Sequence, residues 1–315
     1  MHYKYTLQET VKLILPVIVN FLQAIDWRDH SNVMVPTSEV FLIAVIAHLE
    51  YQQNYALTLA RVSQFQIFKH TLSQSQFGRR LSRVIDYTPL LVETLATCAE
   101  KRLGSFPLKQ IEKDLYSLDT KPIPICQNVR ILKCHLTDNH LSREVVMTKN
   151  GKFRNTTDDD YRGLCASKHE FYYGFKLNCL SNCLQMPREY SIHPASVSDL
   201  FCFKTLSLNL PPQSSILADK AYNDQDTEEY LQESLGLKLD PLRKFKTRRM
   251  FNSNLFQEMG KQLFRRGIET LFSLFNQDWP PKVHAVTLDG LVSKIHIAVL
   301  SFSFLQLLSY GLLTS

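Results

Sequence analysis

The sequence predicts a mixed α/β domain preceded by an all-helical N-terminal domain, and three observations predict it. Over the first hundred residues apolar positions recur at helical spacing, with cap signals ahead of the runs. Beyond residue 105 the texture changes to short apolar or alternating runs bounded by turn residues, as strands are. From residue 197 onward helix-like and strand-like runs alternate, and antiparallel strands followed by such alternation give a mixed sheet flanked by helices. The connector "LGSFPLKQ" places the boundary: 1–108 helical, 109–315 mixed α/β.

The helical part is read in order. Thr6 and Glu9 form a capping-box pattern ahead of an apolar-periodic run, which Pro16 should kink or interrupt. Thr37 and Ser38 precede "EVFLIAVIAHL", apolar on every side and therefore buried. "YALTLARVSQF" is amphipathic. Ser73 and Gln76 open "QSQFGRRLSRVID", in which Phe77, Leu81 and Val84 share one face while Arg79, Arg80 and Arg83 lie on the others. Two short helices followed by a basic one resemble a helix-turn-helix, which makes Arg79 and Arg80 candidate DNA contacts. A merely solvated basic face has the same pattern, and residues 1–110 hold eleven Lys and Arg against eight Asp and Glu.

In the second part "LYSLDTKPIPIC" reads as a strand with prolines past its midpoint. "FYYGFKLNCLS" alternates as a sheet edge or half-buried strand does, with "MPREYSIHPAS" as its hairpin partner. "VSDLFCFKTLSLNL" reads as helix, "SSILADKAY" as a short buried strand, "DQDTEEYLQESLG" as a helix ended by Gly, and "LKLDPLRK" as a strand. A long helix spans about Asn254 to Asp278, and an apolar helix closes the chain. The polar stretch Thr148 to Gly163 reads as a loop. Its acids Asp158 to Asp160 are consecutive and cannot all face one ion, so they read as solvated.

Hydrophobic residues make up 44% and charged residues 21% of the 315, which excludes a disordered chain and leaves ample core material. A net charge of +6 is compatible with a polyanionic partner without requiring one. Seven scattered cysteines, an odd number, and a start lacking the marks of an export signal predict reduced thiols in a cytoplasmic protein. Cys179 and Cys183 are the one closely spaced pair, in a strand-like run that does not suit zinc. The uncharged tail from Ile295 is long enough to suggest a membrane span, but Gln306 and three serines predict a buried terminal helix and no membrane.

Three acids stand out by context. Asp119 follows the apolar run of one strand, Asp219 ends another, and Glu269 lies mid-helix beside Ile268, Leu271, Phe272 and Phe275. Two strand-borne Asp and a Glu on a helix crossing the sheet can converge on Mg²⁺, a hard ion that takes a few carboxylates, keeps waters and binds phosphate oxygens. Each also has a purely structural role open to it: Asp119 and Asp219 as caps, Glu269 as a partner of Arg265 or Arg266. Residues 238–266 carry nine Lys and Arg against two Asp and Glu, five of them in Arg243, Lys244, Lys246, Arg248 and Arg249. That density suits DNA phosphates, and a solvated loop is its alternative.

Five blocks in order, "SLDTKPIPIC", "YRGLCASKHEFYYGFKLN", "ILADKAYND", "RRGIETLFSLF" and "KVHAVTLDGLVSKIHIAVL", resemble those of DDE-type transposases of bacterial insertion sequences over most of residues 115–300. The resemblance implies a ribonuclease-H-like core whose catalytic, metal-binding acids are Asp119, Asp219 and Glu269, with Mg²⁺ as cofactor and Mn²⁺ able to replace it. It implies cleavage of double-stranded DNA at terminal inverted repeats, in-line transfer of the 3′-OH strand to target DNA, and a homo-oligomer in the active complex. The 50-residue gap from Asp219 to Glu269 leaves no room for the large β-insertion of some relatives. Gln262 stands where a Tyr is common, Asn276 where a Lys is, and Asn178 where a strand often carries His, while Arg265 matches. Lys220, Arg265, Arg266 and the 243–249 cluster are candidate phosphate contacts, and Tyr222 either stacks on a base or packs in the core. Two other functions share these features: a metal-dependent nuclease without strand transfer, and a decayed transposase that only binds DNA.

Overall fold

The structure, a computed structural model, describes residues 5–103, 114–127, 145–147, 153–165, 170–241, 255–279 and 287–313. Packing divides the chain into two compact units, one of Met1–Ser105 with Ser273–Ser315 and one of Phe106–Phe272. The division differs from the sequence boundary at one end. The tail, placed by chain order with the mixed domain, packs instead with the N-terminal helices.

In the helical unit, α1 (Leu7–Ala24) begins at the Thr6–Glu9 capping box, with the Thr6 N–H donating to the Glu9 carboxylate at 2.7 Å. The helix runs unbroken through Pro16, contrary to an interruption there. Pro16 lies on the exposed face, where water can serve the carbonyl that loses its partner, while Ile14, Ile18 and Phe21 hold the opposite face in the core. α2 (Thr37–Tyr51) is buried from Val40 to His48, as its all-round apolar sequence requires. Gln52 and Gln53, both at positive φ, turn the chain into α3 (Tyr55–Gln64). α4 (Gln74–Val84) follows after the Phe65–Ser73 connection, itself started by a Ser73–Gln76 capping box, and α5 (Thr88–Leu103) completes the set. The terminal helix Leu288–Ser309 packs on α2 and α5. By length and composition it could cross a bilayer, yet 89% of its most apolar stretch is buried in the fold.

Among the described residues the second unit is built on a six-stranded sheet. Its central strand β1 (Leu115–Gln127) stands apart from a short ladder of β2 (Val145–Met147) and β3 (Phe153–Asn155). β4 (Arg162–Cys165) and β6 (Pro187–Pro194) pair with successive stretches of β5 (Glu170–Ser181), whose other edge pairs antiparallel with β1. β5 is therefore an interior strand buried on both faces over most of its length, neither the sheet edge nor the half-buried strand that its alternation suggested. On the far side of β1 lie β7 (Ser215–Ala218) and β8 (Lys238–Pro241), both parallel to it. The spatial order β6-β5-β1-β7-β8, with the first three antiparallel and the last two parallel to β1, is the ribonuclease-H-like arrangement.

Local sequence explains two irregularities of β1. Pro122 and Pro124, two residues apart, lack N–H groups on the same side of the strand, and both fall beyond Leu118, where the β7 pairing has ended. Opposite them, β1 approaches so closely that a Cβ on Gly174 would lie 2.2 Å from the Ile123 carbonyl oxygen. One face of the sheet holds Tyr116, Leu118, Leu180, Ile216, Ala218 and Leu239 in a common core. Between β6 and β7 the helical reading shrinks to α6 (Asp199–Lys204). After β7 come a 3₁₀ turn (Lys220–Tyr222), α7 (Gln225–Tyr230) and a π-turn ended by Gly236 at φ 64°. The long helix α8 spans Leu255–Asp278.

Candidate active site

β1 and β7 run in the same direction, with Leu118 paired to Ala218. The next residues along each strand are Asp119 and Asp219, so the two acids stand side by side where the strands leave their ladder. Side chains alternate along a strand, and Tyr116, Leu118, Ile216 and Ala218 all face the common core. Ser117, Asp119, Lys121, Leu217 and Asp219 therefore face the other side. There the Lys121 ammonium lies 5.8 Å from the centre of the Phe272 ring on α8, which brings this helix over the face that bears the aspartates. Glu269 lies one turn before Phe272, exposed, between the buried Ile268 and Leu271.

The two Asp turns share a local device. The Thr120 N–H donates to Asp119 Oδ1 at 2.7 Å, and the Lys220 N–H donates to Asp219 Oδ1 at 2.7 Å. Each carboxylate is thereby held against its own backbone and is half-buried. Asp219 does cap the turn that follows it, so the cap and the site are the same residue. Opposite Asp119 on β5 stands Cys179, whose thiol is pushed far above its ordinary range by burial and by the Asp119 charge. At neutral pH that thiol stays protonated.

Oxygen donors on two neighbouring strands, half-open to solvent, fit a hard divalent ion and do not fit a thiophilic one. Among the described residues no three His, Cys, Asp or Glu side chains are grouped closely enough to hold an ion. The structure thus brings Asp119 and Asp219 together and puts the Glu269 helix over their face, without drawing the three acids into one cluster.

The basic candidates divide. Lys220 is exposed beside Asp219, and Arg266 is exposed on α8. Arg79 is exposed on α4, but Arg80 is committed within its own unit: its guanidinium donates to the Val35 carbonyl and, at 3.4 Å, to the Thr37 hydroxyl, with Asp29 at 3.5 Å. Arg80 therefore ties α4 to the start of α2, a use that a helical wheel does not reveal. Arg243, Lys244, Lys246, Arg248 and Arg249 lie outside the described residues, as do the side chains of Arg265 and Gln262.

Asp158, Asp159 and Asp160 form a 3₁₀ turn (Asp158–Tyr161), not a solvated loop. Asp160 accepts two 2.7 Å bonds from Arg154, Asp159 pairs with Arg162 at 2.6 Å, and Asp158 accepts from the Tyr173 hydroxyl at 2.6 Å. Arg162 also pairs with Asp158 at 3.1 Å, so the three carboxylates are taken up by Arg154, Arg162 and Tyr173.

Tyr222 is 1% exposed, its ring edge-on to Phe203 at 6.1 Å, so it packs in the core and offers no face to a base. Its hydroxyl meets the Thr120 hydroxyl at 2.6 Å and donates to Asn178 Oδ1 at 3.2 Å. Thr120 escaped the sequence reading; the one signal for it is a hydroxyl residue directly after a strand-borne Asp.

The sheet has the ribonuclease-H-like strand order, with two aspartates at the ends of adjacent parallel strands. Residues 112–303 match the family described as transposase DDE domain, more than half of the chain, and the protein belongs to that family. No curated protein sequence matches it. A solved structure, described as a cryo-EM structure of a piggyBac transposase synaptic complex with hairpin DNA, is similar over 98% of this chain and 77% of that one. The two share 12% identity and the TM-score is 0.41, too remote a likeness to bear on function.

Proposed function

We propose that this protein is the transposase of a bacterial insertion sequence, which cleaves double-stranded DNA at the element's terminal inverted repeats and transfers the freed 3′-OH strand to target DNA. Membership of the transposase family supports the class. The observation that carries the catalytic assignment is the register that sets Asp119 beside Asp219 on the α8 face of the sheet. In this reading Asp119 and Asp219 hold divalent metal, Mg²⁺ or Mn²⁺ in its place, and Glu269 completes the site from α8. Bound there, the ion would neutralise phosphate charge and raise the acidity of the attacking water or 3′-OH.

The chain's own residues orient the substrate. Lys220 and Arg266, exposed near the acids in sequence, hold phosphates, and the 243–249 cluster adds salt-dependent affinity. Chemistry of this kind is positioning and charge neutralisation, with no covalent protein–DNA intermediate. The helical segment 1–108 grips the element ends, with Arg79 as a phosphate or base contact on α4. Joining two ends calls for at least a dimer.

The deciding experiment compares the protein with Asp219→Asn for Mg²⁺-dependent cutting of DNA that carries the inverted repeats flanking its reading frame. Cutting by the first and not the second is expected, and equal cutting by both overturns the assignment. Cleavage without repeats or joined products identifies a nuclease. Repeat binding with no turnover identifies a DNA-binding protein only.

A further inference from the structure

The sheet's core face carries, directly behind the two aspartates, a buried polar cluster in an otherwise apolar layer. Thr120 stands on β1, Asn178 opposite it on β5, and Tyr222 in the turn after β7. The Thr120 and Tyr222 hydroxyls are 2.6 Å apart, and Asn178 Oδ1 lies 3.2 Å from Tyr222 Oη and 3.4 Å from Thr120 Oγ1. The cluster thus spans three neighbouring strands, β7, β1 and β5, at the level where the acids emerge.

Its members are not placed by packing alone. Asn178 is fully buried, and its Nδ2 has no hydrogen-bond partner among the described residues. An aliphatic side chain would fill that place without an unmet donor. What Asn178 supplies is an acceptor oxygen at the end of a chain of two protons: the Thr120 hydroxyl donates to the Tyr222 hydroxyl, which donates to the Asn178 Oδ1. Burial keeps the Tyr222 phenol protonated far above its ordinary range, so the cluster is a fixed set of neutral hydrogen bonds. Such networks, inside a low-dielectric layer, select one geometry over near alternatives.

The connection to the site runs through the backbone. Thr120 follows Asp119, and its N–H holds the Asp119 carboxylate. Tyr222 closes the turn that Asp219 opens, with the Tyr222 N–H donating to the Asp219 carbonyl at 3.1 Å. The single Thr120–Tyr222 bond therefore links the two carboxylate-bearing turns. Beyond Leu118 and Ala218 the strand ladder between them has ended. With two like charges side by side and no ladder left, something must keep the turns from spreading.

We propose that Tyr222, Thr120 and Asn178 are positioning residues that fix the spacing of Asp119 and Asp219 for metal binding. This rests on the reading of those two acids as the metal-binding pair. Outer partners of metal ligands typically change affinity about 10–100-fold when removed, and the backbone-borne link here sits at the lower end.

The test measures Mn²⁺ binding to the full-length protein without DNA, by the electron paramagnetic resonance of free Mn²⁺, alongside thermal unfolding. Tyr222→Phe and Thr120→Val each weaken binding about tenfold. The double variant is no weaker than either single one, because both remove the same bond. Thr120→Ser, which keeps the hydroxyl, binds within about twofold of the unchanged protein. DNA affinity in the absence of divalent ions stays unchanged in all of them. Wild-type Mn²⁺ affinity in Tyr222→Phe, or equal loss in Thr120→Ser and Thr120→Val, overturns the proposal, and the Thr120 pair decides it even if Tyr222→Phe folds poorly. Asp219→Asn separates the two levels: if it binds Mn²⁺ as the unchanged protein does, the carboxylate reading itself has failed.

Discussion

Asp119 and Asp219 are neighbours by register: each is the residue that follows the paired Leu118 and Ala218 on parallel strands, and both face the helix that bears Glu269. Their side chains are held by the next amide along, so two strand ends deliver two carboxylates in the same pose. The third acid is different in kind. Glu269 is exposed on α8 and contributes little to packing. Glu269→Gln should leave the urea midpoint of unfolding within the roughly 0.5 kcal/mol typical of surface substitutions. It should nonetheless reduce Mg²⁺-dependent DNA cleavage by about a hundredfold or more, in line with loss of a preorganised charge at the reacting centre. Unchanged cleavage would remove Glu269 from the site.

Arg79 and Arg80 are adjacent and chemically identical, yet the fold uses them differently. Arg80→Ala should lower stability, by about 1–3 kcal/mol, because the Val35 carbonyl and Thr37 hydroxyl lose a charged donor. Arg79→Ala should leave stability unchanged and weaken binding to element-end DNA, with a flatter dependence of affinity on salt. Chemical denaturation and a salt titration of DNA binding distinguish the two. The reverse pattern would place the DNA contact elsewhere.

The acidic run invites a metal assignment that the structure directs elsewhere. Asp158→Asn should leave the Mn²⁺ affinity as it is, because the acids of that run are engaged by Arg154, Arg162 and Tyr173. Asp160→Asn should lower the thermal midpoint, since it breaks the two-pronged pair with Arg154 and the bond from the Thr157 N–H at 2.7 Å. Mn²⁺ titration and calorimetry of the two variants check both halves.

What the sequence revealed, and what it hid, follows the range of the interactions. Asp119 and Asp219 were legible because an apolar run ending in an acid is a local pattern, and the helix of Glu269 was legible from its periodicity. The Thr120–Tyr222 bond was not, because it joins residues 102 apart through a register that no local pattern sets. β5 read as an edge or half-buried strand because its aromatic–polar alternation resembles one. Its polar members reach across the sheet instead of to solvent: the Asn178 Oδ1 lies 3.4 Å from the Thr120 hydroxyl and the Ser181 hydroxyl donates to the Ser117 carbonyl at 3.4 Å. The terminal helix is legible as buried from its all-round apolar sequence, but which core it enters depends on packing, and it packs with the N-terminal helices.

Gly174 tests the tightness of the β1–β5 ladder. A Cβ there would meet the Ile123 carbonyl oxygen at 2.2 Å and backbone atoms of Ile123 and Ile125 at 3.1 Å, none of them the end of a flexible side chain. Gly174→Ala should therefore cost about 1–3 kcal/mol or more, as forced overpacking does. It should also lower DNA cleavage, because β1 carries Asp119 and must shift to admit the methyl group. Urea unfolding of the variant reads the first effect, and a stability equal to that of the unchanged protein would show that the strands are looser than this contact requires.

Acid sensitivity should trace in part to His48. Burial lowers its pKa from 6.5 to about 4, and the Gln53 side-chain amide sits 2.8 Å from its Nδ1, which suits a neutral ring that accepts at that nitrogen. His193 and His296 are likewise lowered to about 4 by burial. In the unfolded chain such a histidine takes up its proton near pH 6.5, and in the fold only near pH 4. Between those values the unfolded state binds more protons, so stability falls as pH falls through the window and is unaffected above it. For His48 alone the difference amounts to on the order of 3 kcal/mol across that window. His48→Gln keeps a polar group opposite Gln53 and removes the titration. Its denaturant-derived stability should decline less steeply from pH 6.5 to 4 than that of the unchanged protein, and parallel curves would show that His48 is not protonated on unfolding in that range.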